Sequence, residues 1–466
     1  MSGLDRIDTI VYLMLENRSF DHLLGHLSLE PYANGAKVDG LRQPLGSYQN
    51  YYQGMRYYPF PLHDGQLATD LPHERDLVAT QLAANEVTGT FAMSGFAEAH
   101  FRLAGQLSRT FQPDPLGFLT PEDVPITRFL VDNFAVCDRW FASLPTSTQP
   151  NRCMATSGIS LIDDTTLRVI PRHEDFILDW LAANRVRWRV YHSGISIYLL
   201  FGREEVFGAN FRPLARLGPD VANEADDDFP QVIIVEPAYG DTQQIIGGLA
   251  NDNHPPLPVA PGEALLKTVY EALTLNPKRW QRTLWVITYD EHGGFFDHVA
   301  PPAIGFEPPS NALYRDPFAS LGVRVPGLLV SPLVAPKQVY SETLDHTSFL
   351  QLLAEKFSPG KPYSTAVDRR SGGGTIIKSL SGALRDEPAR ADVPVAPAPP
   401  PMPGLATPLP PQPKGKLQLA FENAARAAFE RDGKTVSQRY PAMAHWALTA
   451  ARDAPKKRSR KGQASR

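Results

Sequence analysis

The stretch DTIVYLMLENRSFDHLLG, residues 8–25, indicates the fold class, because an apolar run within it ends abruptly in polar side chains. Residues 9–15 are almost continuously apolar, as strands covered on both faces are. The run stops at Glu16, Asn17 and Arg18. Polar residues are common where a strand reaches the surface, but the same three groups could also point into a functional site.

Further apolar, β-branched runs alternate with helical patterns along the chain. The strand-like runs are residues 186–191, 231–235, 283–289 and 323–330. The helical stretches are residues 175–185, 263–275 and 345–357. This alternation predicts an α/β fold in which a mostly parallel sheet lies between two helical layers.

The residues that follow these runs are acidic, amide or imidazole side chains more often than lysine or serine. His192 ends the second run, Glu236 the third, and Asp290 and Glu291 the fourth, while Ser331 follows the fifth. In open parallel sheets the ligand site lies beyond the carboxyl ends of the strands. We therefore expect four of these strand ends to converge on one site.

Composition excludes several classes of function. Of 466 residues, 42% are hydrophobic and 21% are charged, and the formal net charge is -4. This is an ordinary globular composition with no electrostatic basis for binding nucleic acid. No apolar stretch is long enough to span a bilayer, and no signal peptide is recognisable, so the sequence as given predicts a cytoplasmic protein, or a secreted one if a leader is missing. The two cysteines, Cys137 and Cys153, favour reduced buried thiols over a bridge.

Three segments are predicted. Residues 1–387 form the main domain, in which the loops at 31–74 and 205–230 are expected to cover the site. Residues 388–413 form a proline-rich linker. Residues 414–466 carry a short helix over 417–433, which Gly433 is expected to stop, and a basic tail interpreted as solvated rather than bound to lipid or nucleic acid.

The segment YDEHGGFFDHV, residues 289–299, suggests a cation site. Adjacent Asp290 and Glu291 repel each other in a buried pocket unless a cation lies between them, although an isolated pair would more simply be a solvated turn. If the sheet brings Glu16 and Asn17 to the same end, the combined oxygen ligands suit a hard divalent cation. Arg18 is interpreted as a contact that orients Glu16.

Thr148 is the candidate nucleophile, in the segment SLPTSTQPNRCMATSG, residues 143–158. Pro150 suits the first turn of a helix, and a hydroxyl there meets the unpaired N–H groups that also bind phosphoryl oxygens. A helix-capping threonine is the simpler interpretation. A bound cation favours the nucleophile, since it lowers the pKa of a hydroxyl ligand by several units.

Six histidines lie in turn-like or strand-end settings with polar neighbours. Imidazoles in such places can bind phosphoryl oxygens, protonate a departing alkoxide or hold a second metal ion. Any single one of them is more often structural. They are His63, His73, His192, His254, His298 and His346.

The motifs ENRSFDHLLG, TQPNR, NDNHPP, YDEHGGFFDHVAPP and DHTSFL, in this order over residues 7–357, resemble the phosphoesterase family of bacterial acid phosphatases and non-specific phospholipases C. The resemblance implies an alkaline-phosphatase-like three-layer α/β sandwich. It implies a divalent metal cation held by Glu16, Asn17, Thr148, Asp290 and Glu291. It implies catalytic roles for Thr148, His73, His192 and His254, and we assign phosphate binding to Asp297 and His346.

The expected function is metal-dependent hydrolysis of phosphoric esters through a phosphothreonine intermediate. The substrate class is a phosphoester, either a phospholipid, as for a phospholipase C, or a small phosphomonoester, as for an acid phosphatase. The aromatic segment at residues 48–60 could form an apolar entrance for acyl chains. The alternative is an inactive phosphoesterase fold that binds a lipid or a protein partner. Family features absent from this sequence are an export signal and C-terminal β domains, while metal identity and oligomeric state stay open.

Overall fold

The computed structural model describes residues 2–85, 89–104, 113–305, 308–314, 316–372, 376–402 and 414–453. The strands in these ranges are β1 (Thr9–Leu15), β2 (Asn50–Tyr52), β3 (Met55–Tyr57), β4 (Phe60–Pro61), β5 (Ala84–Asn85), β6 (Thr90–Phe91), β7 (Gly117–Phe118), β8 (Ala135–Cys137), β9 (Trp188–His192), β10 (Phe211–Pro213), β11 (Val232–Glu236), β12 (Thr283–Tyr289), β13 (Gly327–Val330) and β14 (Gln338–Val339).

Helices precede or follow most of these strands. They are α1 (Phe20–Leu24), α2 (Arg75–Leu82), α3 (Phe96–Ala104), α4 (Pro125–Asn133), α5 (Thr148–Ser157), α6 (Ile177–Ala183), α7 (Leu217–Asn223), α8 (Gln243–Ile246), α9 (Ala260–Thr274), α10 (Pro277–Trp280), α11 (Thr347–Phe357), α12 (Thr365–Gly372), α13 (Lys416–Arg439) and α14 (Pro441–Asp453).

One eight-stranded sheet organises the molecule, in the order β10-β9-β11-β1-β12-β13-β8-β14. The five strands from β10 to β12 are parallel to one another. Among the sheet strands that the structure describes, only β13 runs against its neighbours. The predicted α/β class with a mostly parallel sheet is therefore confirmed.

The central strands are apolar throughout because both faces of the sheet are covered. Every residue of β1, β11 and β12 is buried. Tyr12 of β1 stacks on Phe349 of α11, with ring centroids 4.0 Å apart. Because neighbouring side chains of a strand point to opposite faces, Val11 and Leu13 must be covered by the other helical layer. This explains why the strands read as continuous apolar runs.

One predicted strand is shorter than expected and runs against its neighbours, an orientation that the sequence left open. The run over 323–330 forms a strand only at Gly327–Val330, and that strand is antiparallel to β12. Ser331 therefore lies at the opposite edge, where its Oγ donates to the Thr283 carbonyl (2.7 Å) at the start of β12. The described residues between β12 and β13 contain no crossover helix of the kind that a parallel connection requires.

The peripheral segments also differ from expectation. Residues 205–230 contain β10 and α7 and extend the sheet edge, so they are not a covering loop. Helix α13 continues past Gly433 to Arg439, with a bend at Asp432 (φ -146°, ψ 73°), because Val436 beyond the glycine is buried. Residues 388–402 form neither helix nor strand, whereas 403–413 and the predicted basic tail at 454–466 lie outside the described residues.

Both cysteines are buried and free, as predicted. Within the described ranges, no helix combines the length and the apolar character that crossing a membrane requires.

Candidate active site

Glu16, Asn17, Asp290 and Glu291 lie together at the carboxyl ends of β1 and β12. These two parallel strands are paired up to their last residues, so the residues that follow are neighbours. All four side chains are fully buried. The Asn17 backbone N–H donates to Asp290 Oδ1 (3.3 Å), which joins the two strand ends directly. The sequence prediction that these four residues form one cluster is therefore supported by the geometry.

Three oxygen atoms in this cluster are buried without a hydrogen-bond donor. They are Glu16 Oε2, Asn17 Oδ1 and Glu291 Oε1. A buried polar atom without a partner is costly, and such atoms in native structures commonly mark an ion or a water. Carboxylate and amide oxygens are the ligands of hard divalent cations. The residues present therefore fit the metal site that the sequence predicts.

Two glycines allow the loop after β12 to approach the other strand end closely. Gly293 has φ +62° and Gly294 has φ +79°. A Cβ atom on Gly293 would lie 2.1 Å from the Asn17 carbonyl oxygen, and one on Gly294 would lie 2.5 Å from the Pro72 carbonyl oxygen. Only glycine fits both the backbone conformation and the space. The pair holds Glu291 against Asn17 and against the segment that carries His73.

Arg152 supplies a fixed positive charge to the cluster. Its guanidinium lies 3.2 Å from Glu16 Oε1 and 3.4 Å from Asp290 Oδ2. The same group donates to the Leu15 carbonyl (3.3 Å) and lies over the Tyr239 ring, 5.5 Å from its centroid. Arg152 therefore offsets the charge of Glu16 and Asp290, and a divalent cation would add compensation for all three buried carboxylates.

The electrostatics of the cluster follow from burial and like charge. Burial raises the pKa of Glu16 well above its ordinary value, and nearby Asp290 adds to the effect. Burial also raises the pKa of Asp290, although Arg152 opposes this. The pKa of Glu291 is lowered despite burial, chiefly by His73. A divalent cation among these groups would favour the ionised form of all three.

Thr148 is the first residue of α5, and Ser147 rather than Thr148 occupies the N-cap position. Its side chain is 1% exposed. Arg152 lies four residues further along the same helix and contacts the carboxylates, so Thr148 occupies the face of α5 that is turned toward them. Asn151 fixes the loop before the helix, since its Nδ2 donates to the carbonyls of Leu144 (3.1 Å) and Thr146 (2.9 Å).

His73 and His254 face the cluster from two loops, with ring centroids 5.8 Å apart. His254 Nε2 lies 2.7 Å from Asn17 Nδ2. Burial opposes charge on both rings, but Glu291 and Asp70 raise the pKa of His73 to about 9, and Asp70 and Asp241 also raise that of His254. Because Asn17 Nδ2 donates to His254 Nε2, this nitrogen accepts, and His73 is the imidazole of the two that is placed to donate a ring proton.

Two further acidic residues join these histidines. Asp70, His73 and His254 form one group of potential ligands, and Glu16, Asp241 and His254 form another, with the ligand atoms of each group within 4.8 Å of one another. Sequence reasoning missed both Asp70 and Asp241. Asp241 follows β11, so the rule of strand ends could have found it, and Asp70 lies three residues before His73.

Comparison with known proteins now decides the family. The model of the Phosphoesterase family matches residues 7–358. The chain belongs to the phosphoesterase family. This confirms the resemblance inferred from the motifs.

Curated relatives of this phosphoesterase-family chain are named phospholipases C. It is 37% identical over 352 residues to non-specific phospholipase C6 of Arabidopsis thaliana, a match that covers 72% of this chain and 64% of that protein. It is 31% identical to non-specific phospholipase C3 of the same plant, covering 84% and 76%. It is 29% identical to phospholipase C A of Mycobacterium tuberculosis (strain CDC 1551 / Oshkosh), covering 77% and 74%. The chain thus spans less than two thirds of the first of these relatives.

Similarity to solved structures is weaker. A protein in the alkaline phosphatase superfamily from Vibrio parahaemolyticus is 12% identical, with a TM-score of 0.30, covering 50% of this chain and 60% of that chain. A likeness at this level supports no statement about function.

In this member of the phosphoesterase family, His192 lies apart from the other predicted catalytic residues. It ends β9, two strands from β1 in the sheet. Its Nδ1 donates to the Gly194 carbonyl (2.7 Å), and Tyr440 of the C-terminal segment lies 3.4 Å from its Nε2. Burial lowers the pKa of His192. The catalytic role stays a prediction, and these contacts favour a structural role.

The two residues predicted to bind phosphate have protein partners instead. His346 Nε2 donates to the Asp290 carbonyl (2.7 Å), and its Nδ1 accepts from Trp140 Nε1 (3.3 Å). Asp297 is fully buried and paired with Arg324, whose Nε lies 3.1 Å from Asp297 Oδ1. Because these atoms are already engaged, the contacts favour structural roles for both side chains, and phosphate binding by either stays a prediction. His346 instead fixes the backbone of Asp290.

Arg18 also has a role other than the one expected. Its Nε donates to the Asn253 carbonyl (2.7 Å) and its Nη2 to the Leu257 carbonyl (2.9 Å), rather than to Glu16. It therefore ties the end of β1 to the loop that carries His254. The residue that does contact Glu16 is Arg152, which the motif TQPNR contains but to which sequence reasoning gave no role.

Helix α13 borders the site. Asp164 accepts from Ser147 Oγ (2.8 Å) through Oδ1 and pairs with Lys416 Nζ (2.8 Å) through Oδ2. Phe421 of the same helix is fully buried and stacks on Tyr239, with centroids 5.8 Å apart. The start of α13 is therefore linked to the residue that precedes Thr148.

Proposed function

We propose that this chain is a metal-dependent hydrolase of phosphoric esters in which Thr148 is the nucleophile. The observation that carries the proposal is the group of three buried oxygens without donors, on Glu16, Asn17 and Glu291, beside Asp290. Membership of the phosphoesterase family supports the reaction class. Oxygen ligands of this kind fit a divalent cation, whose identity is open.

The residues have the following roles. When bound, a divalent cation supplies positive charge that lowers the pKa of the Thr148 hydroxyl and attracts the phosphoryl oxygens. The Thr148 hydroxyl loses its proton to solvent, and Oγ1 forms a bond to phosphorus as the bond from phosphorus to the ester oxygen breaks. His73 gives its proton to the departing alcohol, since Glu291 and Asp70 raise its pKa to about 9. Water then cleaves the phosphothreonine and restores the hydroxyl.

A phospholipid is the preferred substrate class. The relatives named above are called phospholipases C. The hairpin formed by β2 and β3 and the residues after it expose Tyr51, Met55 and Tyr58 at 48%, 57% and 40% of their surface. Exposed large apolar side chains of this kind are suited to contact with acyl chains. A small phosphomonoester is the second candidate.

The test is a parallel assay with a phosphatidylcholine emulsion and a small phosphomonoester, after elemental analysis of the purified protein. Thr148→Ala is expected to lower turnover by roughly 10³-fold or more while bound metal is retained. Glu16→Gln is expected to lower the metal content itself. The matched control is Thr156→Ala on the same helix, whose hydroxyl only donates within the helix to the Arg152 carbonyl (2.7 Å).

Three results would contradict the proposal. Turnover by Thr148→Ala equal to that of the wild type would exclude the nucleophile. Metal bound in full by Glu16→Gln would exclude the cluster as the metal site. If the wild type binds lipid but hydrolyses neither substrate, the chain is an inactive fold that acts by binding.

A further inference from the structure

A second concave site lies at the opposite end of the sheet from the carboxylate cluster. Its volume is about 530 Å³, within the range of small-molecule sites. Thr9 at the start of β1 and Gln231 just before β11 line it, so it faces the amino ends of the strands. Glu16 of the ligand cluster lies seven positions after Thr9 along an extended strand, a span of roughly 20 Å. The cavity is therefore distinct from the proposed catalytic centre.

Positive charge predominates in the lining of this cavity. The cationic side chains are Arg187, Lys278, Arg279, Arg282 and Lys356, whereas the carboxylates are only Asp8 and Asp226. An excess of three positive charges in one cavity stands out in a chain whose net charge is -4. A concave wall of one sign attracts ligands of the opposite sign.

The two carboxylates neutralise only part of this charge. Asp226 pairs with Arg279 (2.8 Å), and Asp8 pairs with Arg282. Lys356 Nζ donates to the Leu4 carbonyl (3.0 Å), and burial lowers its pKa.

The remaining cations lack acidic partners. Arg187 Nε donates to the Phe229 carbonyl (3.0 Å). In the part of the chain that the structure describes, neither Arg187 nor Lys278 nor Lys356 has a carboxylate within ion-pair distance. These three groups are available to an anion.

We propose that this cavity binds a soluble phosphorylated small molecule. Guanidinium and ammonium groups bind phosphate through charge-assisted hydrogen bonds. Phe229 and Phe357 add apolar surface, and the Arg279 guanidinium covers the Phe229 ring at 4.2 Å from its centroid. An anionic bilayer carries the same phosphate chemistry, but its flat surface would not reach Lys356, the partly buried one of the three available cations.

The test uses calorimetric titration of the full chain with methylenediphosphonate, whose P–C–P link resists phosphoester hydrolysis. The wild type is expected to show a binding event that weakens with added salt. The double variant Arg187→Glu, Lys278→Glu is expected to weaken this event at least roughly tenfold. Lys378→Glu, an exposed lysine outside the cavity, is the control and should bind as the wild type does. Hydrolysis of the small phosphomonoester should be unchanged in all three proteins.

The opposing results are equally defined. Absence of saturable binding to the wild type would overturn the proposal. Equal affinity in the wild type and the double variant would also overturn it, because the anion would then bind outside this cavity. A second arm measures sedimentation with phosphatidylserine vesicles. The wild type and the double variant can also show no difference in diphosphonate binding while only the double variant loses vesicle binding. The cavity is then a membrane contact, and the proposal of a soluble ligand fails.

Discussion

Arg152→Met tests whether Arg152 is the counter-charge of a metal-binding carboxylate cluster. The substitution keeps most of the side-chain volume but removes the charge that lies 3.2 Å from Glu16 Oε1 and 3.4 Å from Asp290 Oδ2. Both carboxylates are fully buried and cannot be solvated instead. Removing one partner of a buried ion pair lowers the free energy of unfolding by about 3–5 kcal/mol. We expect a loss in this range for the metal-free protein.

A divalent cation should recover part of that loss. The carboxylates left without Arg152 repel each other, so they gain more from a bound cation than those of the wild type do. At a cation concentration of about 100 times Kd, binding adds about 2.7 kcal/mol to the free energy of unfolding. We therefore expect the difference in free energy of unfolding between Arg152→Met and the wild type to narrow when the cation is added.

The assay is urea unfolding of each protein with the cation removed and with the cation at saturation. The matched control is Arg370→Met, which removes a buried arginine from a single carboxylate, Asp345, with its Nε 2.9 Å from Asp345 Oδ2. One carboxylate does not form a divalent site, so the control should lose stability by the same amount in both conditions. The reasoning is refuted if the cation leaves the difference in free energy of unfolding between Arg152→Met and the wild type unchanged. It is also refuted if the cation narrows the corresponding difference for Arg370→Met by the same amount.

Two further predictions concern the loops around the site. Burial opposes charge on His298, but Asp21 outweighs it and raises the pKa of His298 to about 10. The free energy of unfolding of the wild type should therefore exceed that of His298→Gln by its full amount below about pH 6.5. This difference should disappear as the pH rises toward 10, by up to about 1.4 kcal/mol per pH unit. Urea unfolding of both proteins from pH 6 upward measures this, and a constant difference would contradict it. Gly293→Ala should weaken cation binding measured by calorimetry, because its Cβ would lie 2.1 Å from the Asn17 carbonyl oxygen, whereas Gly360→Ala, with φ +82° and open space around the Cβ, should not. Equal cation affinity in the two alanine variants would contradict it.

The strand ends could be predicted from sequence because burial on both faces leaves a simple signature. β12 was predicted with the bounds that it has, Thr283–Tyr289, and β1 likewise, Thr9–Leu15. The polar residues after these strands could then be placed at one edge by the geometry of parallel sheets. An apolar run carries no information about direction, however, so the antiparallel orientation of β13 could not be predicted.

The counter-charges could not be predicted, since they depend on which helices pack against the strand ends. Arg152 lies only four residues after Thr148, but a sequence does not show which way a helix face points. The pairing of Asp70 with His73 and of Asp241 with His254 likewise arises from loops that meet in space. A rule that searches each loop after a strand for acidic residues would have recovered Asp241 but not Arg152.

The motifs ENRSFDHLLG (residues 16–25) and YDEHGGFFDHVAPP (residues 289–302) each have a first half at the candidate metal site and a second half with a structural role. Their second halves bind each other: the Asp21 backbone N–H donates to Asp297 Oδ2 (3.1 Å), and the His298 backbone N–H donates to Asp21 Oδ2 (2.8 Å). Arg324 lies between the same two carboxylates, 3.1 Å from each. This buried network of hydrogen bonds and ion pairs fixes the loops whose first halves present the oxygens proposed to bind the metal ion. Asp297 therefore holds the two loops in register, and its protein partners favour this structural role over the predicted binding of phosphate.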